Sequence, residues 1–307
     1  MRITIGSLVA TAVLGLSLGA CVQPNDGPHA IARVLPKADD VKIQLPETAA
    51  SNAFAVGDLA TWYVATRDVT RTLNGGTAYV LILVHTIVLF PPTSHDGDTY
   101  VWGPHHEALD PAEWRLSVTE LADGTYDWKL DGRNLTVANA AFETLIAGNA
   151  DGDGTGDFTL DFDAAERVNP IDNDGKGVIA VDYDIAARRL DMNIDSVEDV
   201  NGTQTPVHFD YAYGESADGA GDMIFTILAD TDDPGTLKEE ATLRSRWLST
   251  GAGRADVRLR NGDLAAEVTA SECWSSMFRR TYYTDSASWL PTEGATADCA
   301  FASSALP

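Results

Sequence analysis

Positive charge is what this chain has least of. Lys and Arg number 21 against 46 Asp and Glu in 307 residues, a net charge of −25, and only five of the cations are lysines. A field of that sign argues against nucleic acid as a partner and against electrostatic docking on anionic lipid. It fits a highly soluble surface, cation attraction or a salty environment. Cysteine is nearly as scarce, with three residues and no Cys-x-x-Cys pair to carry dithiol redox chemistry. There is no His-Glu-x-x-His and no glycine loop followed by Lys-Ser or Lys-Thr. The nearest approach to a nucleophile elbow, Gly214-Glu215-Ser216-Ala217-Asp218, lacks the final glycine. Beyond the first twenty residues no apolar run is long enough to span a bilayer. Apolar residues are not lacking, however: at 44% they suffice for a real core.

The first residues carry the strongest motif. Arg2 precedes an apolar stretch, Ile3 to Leu18, and the small residues Gly19 and Ala20 lead to Cys21. Leu18-Gly19-Ala20-Cys21 resembles the lipobox of bacterial lipoproteins. The resemblance implies that residues 1–20 are a signal peptide and that Cys21 is the lipidated first residue of the mature chain. Residues 21–45 would then form a tether to the membrane through the acyl anchor. Val22 after the cysteine, rather than Asp, implies the outer membrane. Loss of Arg2 with the leader takes the charge to −26. The cysteines that remain, Cys273 and Cys299, are expected to form one structural disulfide in an oxidising compartment, worth ~3 kcal/mol on a chain-entropy basis.

Residues 46–307 read as a single α+β domain. A helical period runs over about 57–90 through Leu59, Trp62, Tyr63, Thr66, Val69 and Leu73. It is punctuated by Asn74-Gly75-Gly76, resumes with Tyr79 to Val88, and ends at Pro91-Pro92. From about 98 to 283 the period is two. Trp114-Leu116-Val118, Tyr126-Trp128-Leu130, Phe158-Leu160-Phe162, Ile179-Val181-Tyr183 and Leu190-Met192-Ile194 begin the series, and Val207 to Tyr213, Met223-Phe225-Ile227 and Ala255-Val257-Leu259 continue it. Asp-Gly and Asn-Gly turns lie between them. This predicts a long antiparallel β-meander with one wet face, curled into a barrel or half-barrel, with the N-terminal helical segment packed on it. From about Ser271 the pattern predicts a final strand and a disulfide-pinned tail across one end.

Three clusters could carry chemistry. Asp151, Asp153 and Asp157, on alternating positions of a Gly-rich loop, resemble the start of a helix-loop-helix calcium site, but Phe162 stands where that site needs a bidentate Glu. Asp172-Asn173-Asp174-Gly175 reads as a turn. His95, His105 and His106 crowd one window as candidate zinc or copper ligands, with a solvated loop as the favoured reading.

The leading functional reading is a non-enzymatic, outer-membrane-anchored lipoprotein binding an apolar or lipid-like ligand, with Val80, Leu83, Val84 and Ile87 facing the pocket. The inferred shape resembles the half-barrel of periplasmic lipoprotein carriers and their outer-membrane receptors, and more loosely the lipocalins. The alternative is a calcium-stabilised envelope or adhesion module using the Asp151–Asp157 loop. The third is a secreted hydrolase, which requires the three histidines to converge in a cleft.

Overall fold

The helical period of the sequence becomes one helix, α1 (Thr61–Val88). The computed structural model describes Ile31, Leu35, Lys37 and residues 58–88, 90–200, 203–229 and 237–307, except the side chains of residues 75–83, 85–86, 198–200, 203 and 229. The lipobox, Cys21 and most of the tether lie outside the described residues. The expected interruption at Asn74-Gly75-Gly76 does not occur, because α1 runs through it. A glycine lowers helix propensity by only ~1 kcal/mol against alanine. Packing at both ends outweighs that: Thr66, Val69 and Thr70 are buried in the first half, Val84 and Val88 in the second.

The alternating region forms fifteen strands. They are β1 (Ser94–Asp96), β2 (Thr99–His105), β3 (Ala112–Glu120), β4 (Tyr126–Asn134), β5 (Glu143–Ala150), β6 (Thr155–Asp161), β7 (Val178–Asp184), β8 (Arg189–Val200), β9 (Thr203–Glu215), β10 (Gly221–Ala229), β11 (Glu239–Trp247), β12 (Gly253–Asn261), β13 (Val268–Trp274), β14 (Arg280–Asp285) and β15 (Glu293–Gly294). Each pairs antiparallel with its neighbours in sequence, giving one meander sheet. The sheet is not closed: among the described residues β1 pairs only with β2, and β15 only with β14. The expected antiparallel meander is therefore present, but of the expected barrel or half-barrel the closed form is excluded: the sheet is open. Its two edges are strands of three and two exposed residues, too short to zip together.

α1 crosses the strands rather than following them, with its contacts concentrated on β11, β12 and β13. Its first two N–H groups meet Glu272 on β13, and Thr66 Oγ1 lies 2.9 Å from Ser245 Oγ on β11. Thr70 Oγ1 lies 3.8 Å from Met223 Sδ on β10, and just past the helix Phe90 O accepts from Trp102 Nε1 of β2 at 2.8 Å. A helix of 28 residues is ~42 Å long. Eleven strand spacings from β2 to β13 need ~53 Å. The sheet must bow around the helix to meet it at both ends.

Large rings on this inner face lie over glycines of the next strand. A Cβ at Gly132 would come within 2.9 Å of the Trp114 ring, and one at Gly148 equally close to Trp128. Gly156 underlies Tyr183, Gly221 underlies Trp247 and Gly253 underlies Trp274. Each pair is directly cross-strand, so the ring covers backbone that glycine leaves bare.

Three local readings change. Phe162 is not a strand residue. Asp161 accepts from Ala164 N at 2.8 Å and caps a short helix, α2 (Phe162–Val168), which packs on β4 and β5. A register shift at Leu130/Asp131 accompanies the burial of both Leu145 and Ile146, so β5 lacks the clean alternation that marks a strand. The C-terminal region holds three strands rather than one. Cys273 and Cys299 are bonded as expected, but the tail beyond them lies along the polar face of β11 and β12, not across one end.

Candidate functional site

β8 and β9 are the longest strands, with 12 and 13 residues. β7 stops pairing at Val178 opposite Asp195, and β10 at Leu228 opposite His208. The two strands therefore continue beyond the sheet as a ribbon, and at its root lies a cleft of about 500 Å³. Asp163, Lys176, Asp195, Ser196, His208, Leu228 and Lys238 are among its lining residues. Lys176 pairs with Glu166 of α2, and its carbonyl accepts from Ser196 Oγ at 2.8 Å. Lys238 Nζ donates to Pro206 O. Gly177, at φ +91°, allows the α2–β7 loop to pass the wall: a Cβ there would sit 1.9 Å from Asp195 O.

His208 is the titratable centre of the cleft. Its Nδ1 lies 2.7 Å from Asp195 Oδ1 and its Nε2 lies 3.2 Å from Asp210 Oδ2, while Asn193 Nδ2 donates to Asp210 at 2.9 Å. The hydrogen bond to Asp195 raises the imidazole above the ordinary histidine range; partial burial opposes this and the charges of Asp210 and Asp195 reinforce it. The stabilisation that comes with a raised value is complete below the unfolded histidine pKa and fades as pH rises through the folded one. An NMR titration should find His208 still protonated above ~6.5, the unperturbed value. Asp195→Asn should return it toward that value; an unchanged titration would remove Asp195 as the cause.

The Ser196 hydroxyl is held by Lys176 O, and the Ser216 hydroxyl serves the β9–β10 turn, bonded to Asp218 at 2.5 Å and Ala220 O at 3.1 Å. The lining of the cleft combines charges of both signs, a hydroxyl and the half-exposed Leu228.

The residues singled out from sequence lie elsewhere. Asp151 closes the β5–β6 hairpin, accepting from Asp153 N at 2.9 Å and Thr155 N at 2.8 Å as well as from the Thr155 hydroxyl. These bonds hold its carboxyl below the usual range, the Thr155 hydroxyl contributing most. Asp157 continues into β6. His95 stacks on Tyr100 at 4.2 Å, and His106 lies 3.8 Å from Glu113. Among the described residues no group of three or more His, Cys, Asp or Glu is placed to hold a metal ion. Even Asp195 and Asp210 bind opposite nitrogens of one ring and so face apart. Asp172 accepts from Asn169 Nδ2 at 2.8 Å in the loop after α2. Val84 is fully buried and Ile87 packs against the core, whereas the side chains of Val80 and Leu83 lie outside the described residues.

Sequence reading missed His208 and its partners. The alternation does place Asp191, Asn193, Asp195, His208 and Asp210 on the outward face, but only the β8–β9 register sets Asp195 opposite His208. Among the described residues no helix is long and apolar enough to cross a membrane. No family model, curated protein or solved structure matches the chain.

Proposed function

We propose that the chain is an outer-membrane-anchored lipoprotein without enzymatic activity, whose sheet curves as a half-barrel around an apolar or lipid-like ligand. The anchor rests on the resemblance of Leu18-Gly19-Ala20-Cys21 to a lipobox. The observation that carries the ligand is the inner face itself: an apolar surface from Trp102 on β2 to Tyr283 on β14, with α1 laid across it and the short α2 packed over β4 and β5. The first half of α1 is fixed through polar contacts to Glu272 and Ser245, and among the described side chains of the second half Val84, Ile87 and Val88 meet the core. An acyl chain would slide between this second half and the sheet, exchanging one apolar contact for another. The His208 cleft, outside the apolar face, would suit a polar headgroup or a partner rather than the chain itself.

Native mass spectrometry tests this on a form lacking residues 1–21, exported to a bacterial periplasm and purified without detergent. A co-purifying lipid-sized mass, lost on organic extraction, is expected. An empty protein at the mass of the disulfide form would overturn the ligand. Metabolic labelling with a radioactive fatty acid, expected in the full chain and lost in Cys21→Ala, tests the anchor separately.

A further inference from the structure

This acidic chain gathers positive charge on the outward face of β11 and β12. Arg244, Arg246, Arg254, Arg258 and Arg260 stand there against Asp222, Glu240 and Asp256, two cations in excess on a chain of net charge −25. The acids serve them unequally. Asp222 holds Arg244 through two bonds of 3.0 and 2.6 Å, Glu240 holds Arg260 at 2.5 Å, and Asp256 holds Arg254 at 2.7–3.0 Å. Arg246 is 3.2 Å from Asp256 and Arg258 is 3.8 Å from Glu240. The Nε–H groups of both, like that of Arg260, are buried without a partner among the described residues.

Both of these arginines also take main-chain oxygens of the C-terminal segment, Arg246 in addition to its bond to Asp256. Arg246 Nη2 donates to Ala302 O at 2.6 Å, and its head lies 5.2 Å over the Phe301 ring. Arg258 Nη1 donates to Leu306 O at 3.2 Å and its Nη2 to Pro307 O. Between them Ser304 donates its N–H and hydroxyl to Asp256 at 3.4 and 3.3 Å. Residues 302, 304 and 306 thus meet three successive outward rows of β12, at positions 254, 256 and 258, Arg246 being paired with Arg254. That is the two-residue period of an extended peptide laid along a strand. The segment 299–307 has no charged side chain, so it meets these arginines through main-chain oxygens. A carboxylate accepts two parallel N–H groups from the arginine fork and binds more strongly.

The geometry points to a groove for an extended acidic peptide of a partner protein, with carboxylates two positions before and two positions after a hydroxyl residue. The chain's own C-terminal segment is its tethered stand-in. The Cys273–Cys299 bond fixes that stand-in three residues before Ala302. A link so short gives an effective concentration on the order of millimolar, so a free peptide must outcompete it.

The test uses fluorescence anisotropy with a fluorescein-labelled Ala-Glu-Ala-Ser-Ala-Glu-Ala peptide and its Gln-for-Glu counterpart. Each is titrated with the disulfide-bonded chain and with a Cys273→Ser, Cys299→Ser double variant. The double variant should bind the Glu peptide at least tenfold more tightly than the bonded chain does. The Gln peptide should lose at least tenfold, as should Arg246→Ala or Arg258→Ala introduced into the double variant. No binding to a double variant whose circular dichroism is native would overturn the proposal, as would binding indifferent to Gln or to the arginines. Should the double variant not fold, Ser304→Pro releases the segment with the disulfide intact by removing both donors to Asp256. It should show the same gain, and no gain there would overturn the groove.

Discussion

Glu272→Ala should lower the melting temperature by about 10 °C. Glu272 is fully buried on β13, facing the helix. It accepts from Thr61 N at 3.0 Å, Trp62 N at 2.6 Å and Arg280 Nε at 2.7 Å. Those two amides are among the orphan donors at the start of α1, and a carboxylate there also meets the positive end of the helix dipole. Truncation would leave a largely buried guanidinium and two amides without their acceptor. Breaking such a buried pair costs ~3–5 kcal/mol. For a large domain each kcal/mol moves the midpoint by ~2–4 °C. Glu272→Gln retains an acceptor oxygen and should lose roughly half as much. Calorimetry on the three proteins decides it; a loss under ~1 kcal/mol for the alanine variant would mean that α1 is not anchored at this carboxylate.

Gly221→Ala should cost about 2–3 kcal/mol through overpacking. The new Cβ would stand 2.3 Å from two ring carbons of Trp247 and 2.7 Å from its Nε1. The indole stacks against Tyr213, with centroids 6.0 Å apart and planes at 18°, which limits its retreat. Gly214→Ala is the matched control: it too is a strand glycine, but a Cβ there would meet no atom within 4 Å. It should stay within ~0.5 kcal/mol of wild type. Trp247→Leu, although destabilising alone, should absorb part of the Gly221→Ala penalty, with a coupling of about 1 kcal/mol or more in a double-mutant cycle. Urea unfolding measures all four. Strict additivity would show that the ring and the glycine are not in contact as described.

These two sites differ in how much of them the sequence showed. Trp247 lies in a segment whose inward positions set Leu243 between Ala241 and Ser245, one small and the other polar, so no apolar stripe reads there. Gly221 follows Asp218-Gly219 and is not distinguishable in sequence from a turn glycine. Glu272 interrupts an inward phase, between Ala270 and Trp274, and a buried carboxylate is legible there only once the amides it serves are in place. The candidate cleft was less legible still. Its aspartates and histidine are common residues on a polar face, and the sharper motif, Asp151 to Asp157, has its first carboxylate turned inward upon its own hairpin.

What the sequence by itself determined was local: the helix near residues 57–90, the two-residue period that sorts inner from outer faces, and the Asp-Gly and Asn-Gly turns that make the order a meander. The lone even pair of cysteines belongs with these. All follow from propensities and periodicities within a few residues, where chain chemistry acts without reference to the rest of the fold. Only the tertiary structure decided that the sheet stays open, that α1 runs unbroken across it, and that rings cover glycines of the next strand. It also decided that His208 faces Asp195 and that the C-terminal segment lies on arginines. Each of these depends on register or packing between residues distant in the chain. A one-residue slip would exchange the two faces of a strand, and burial, not propensity, selects among the alternatives.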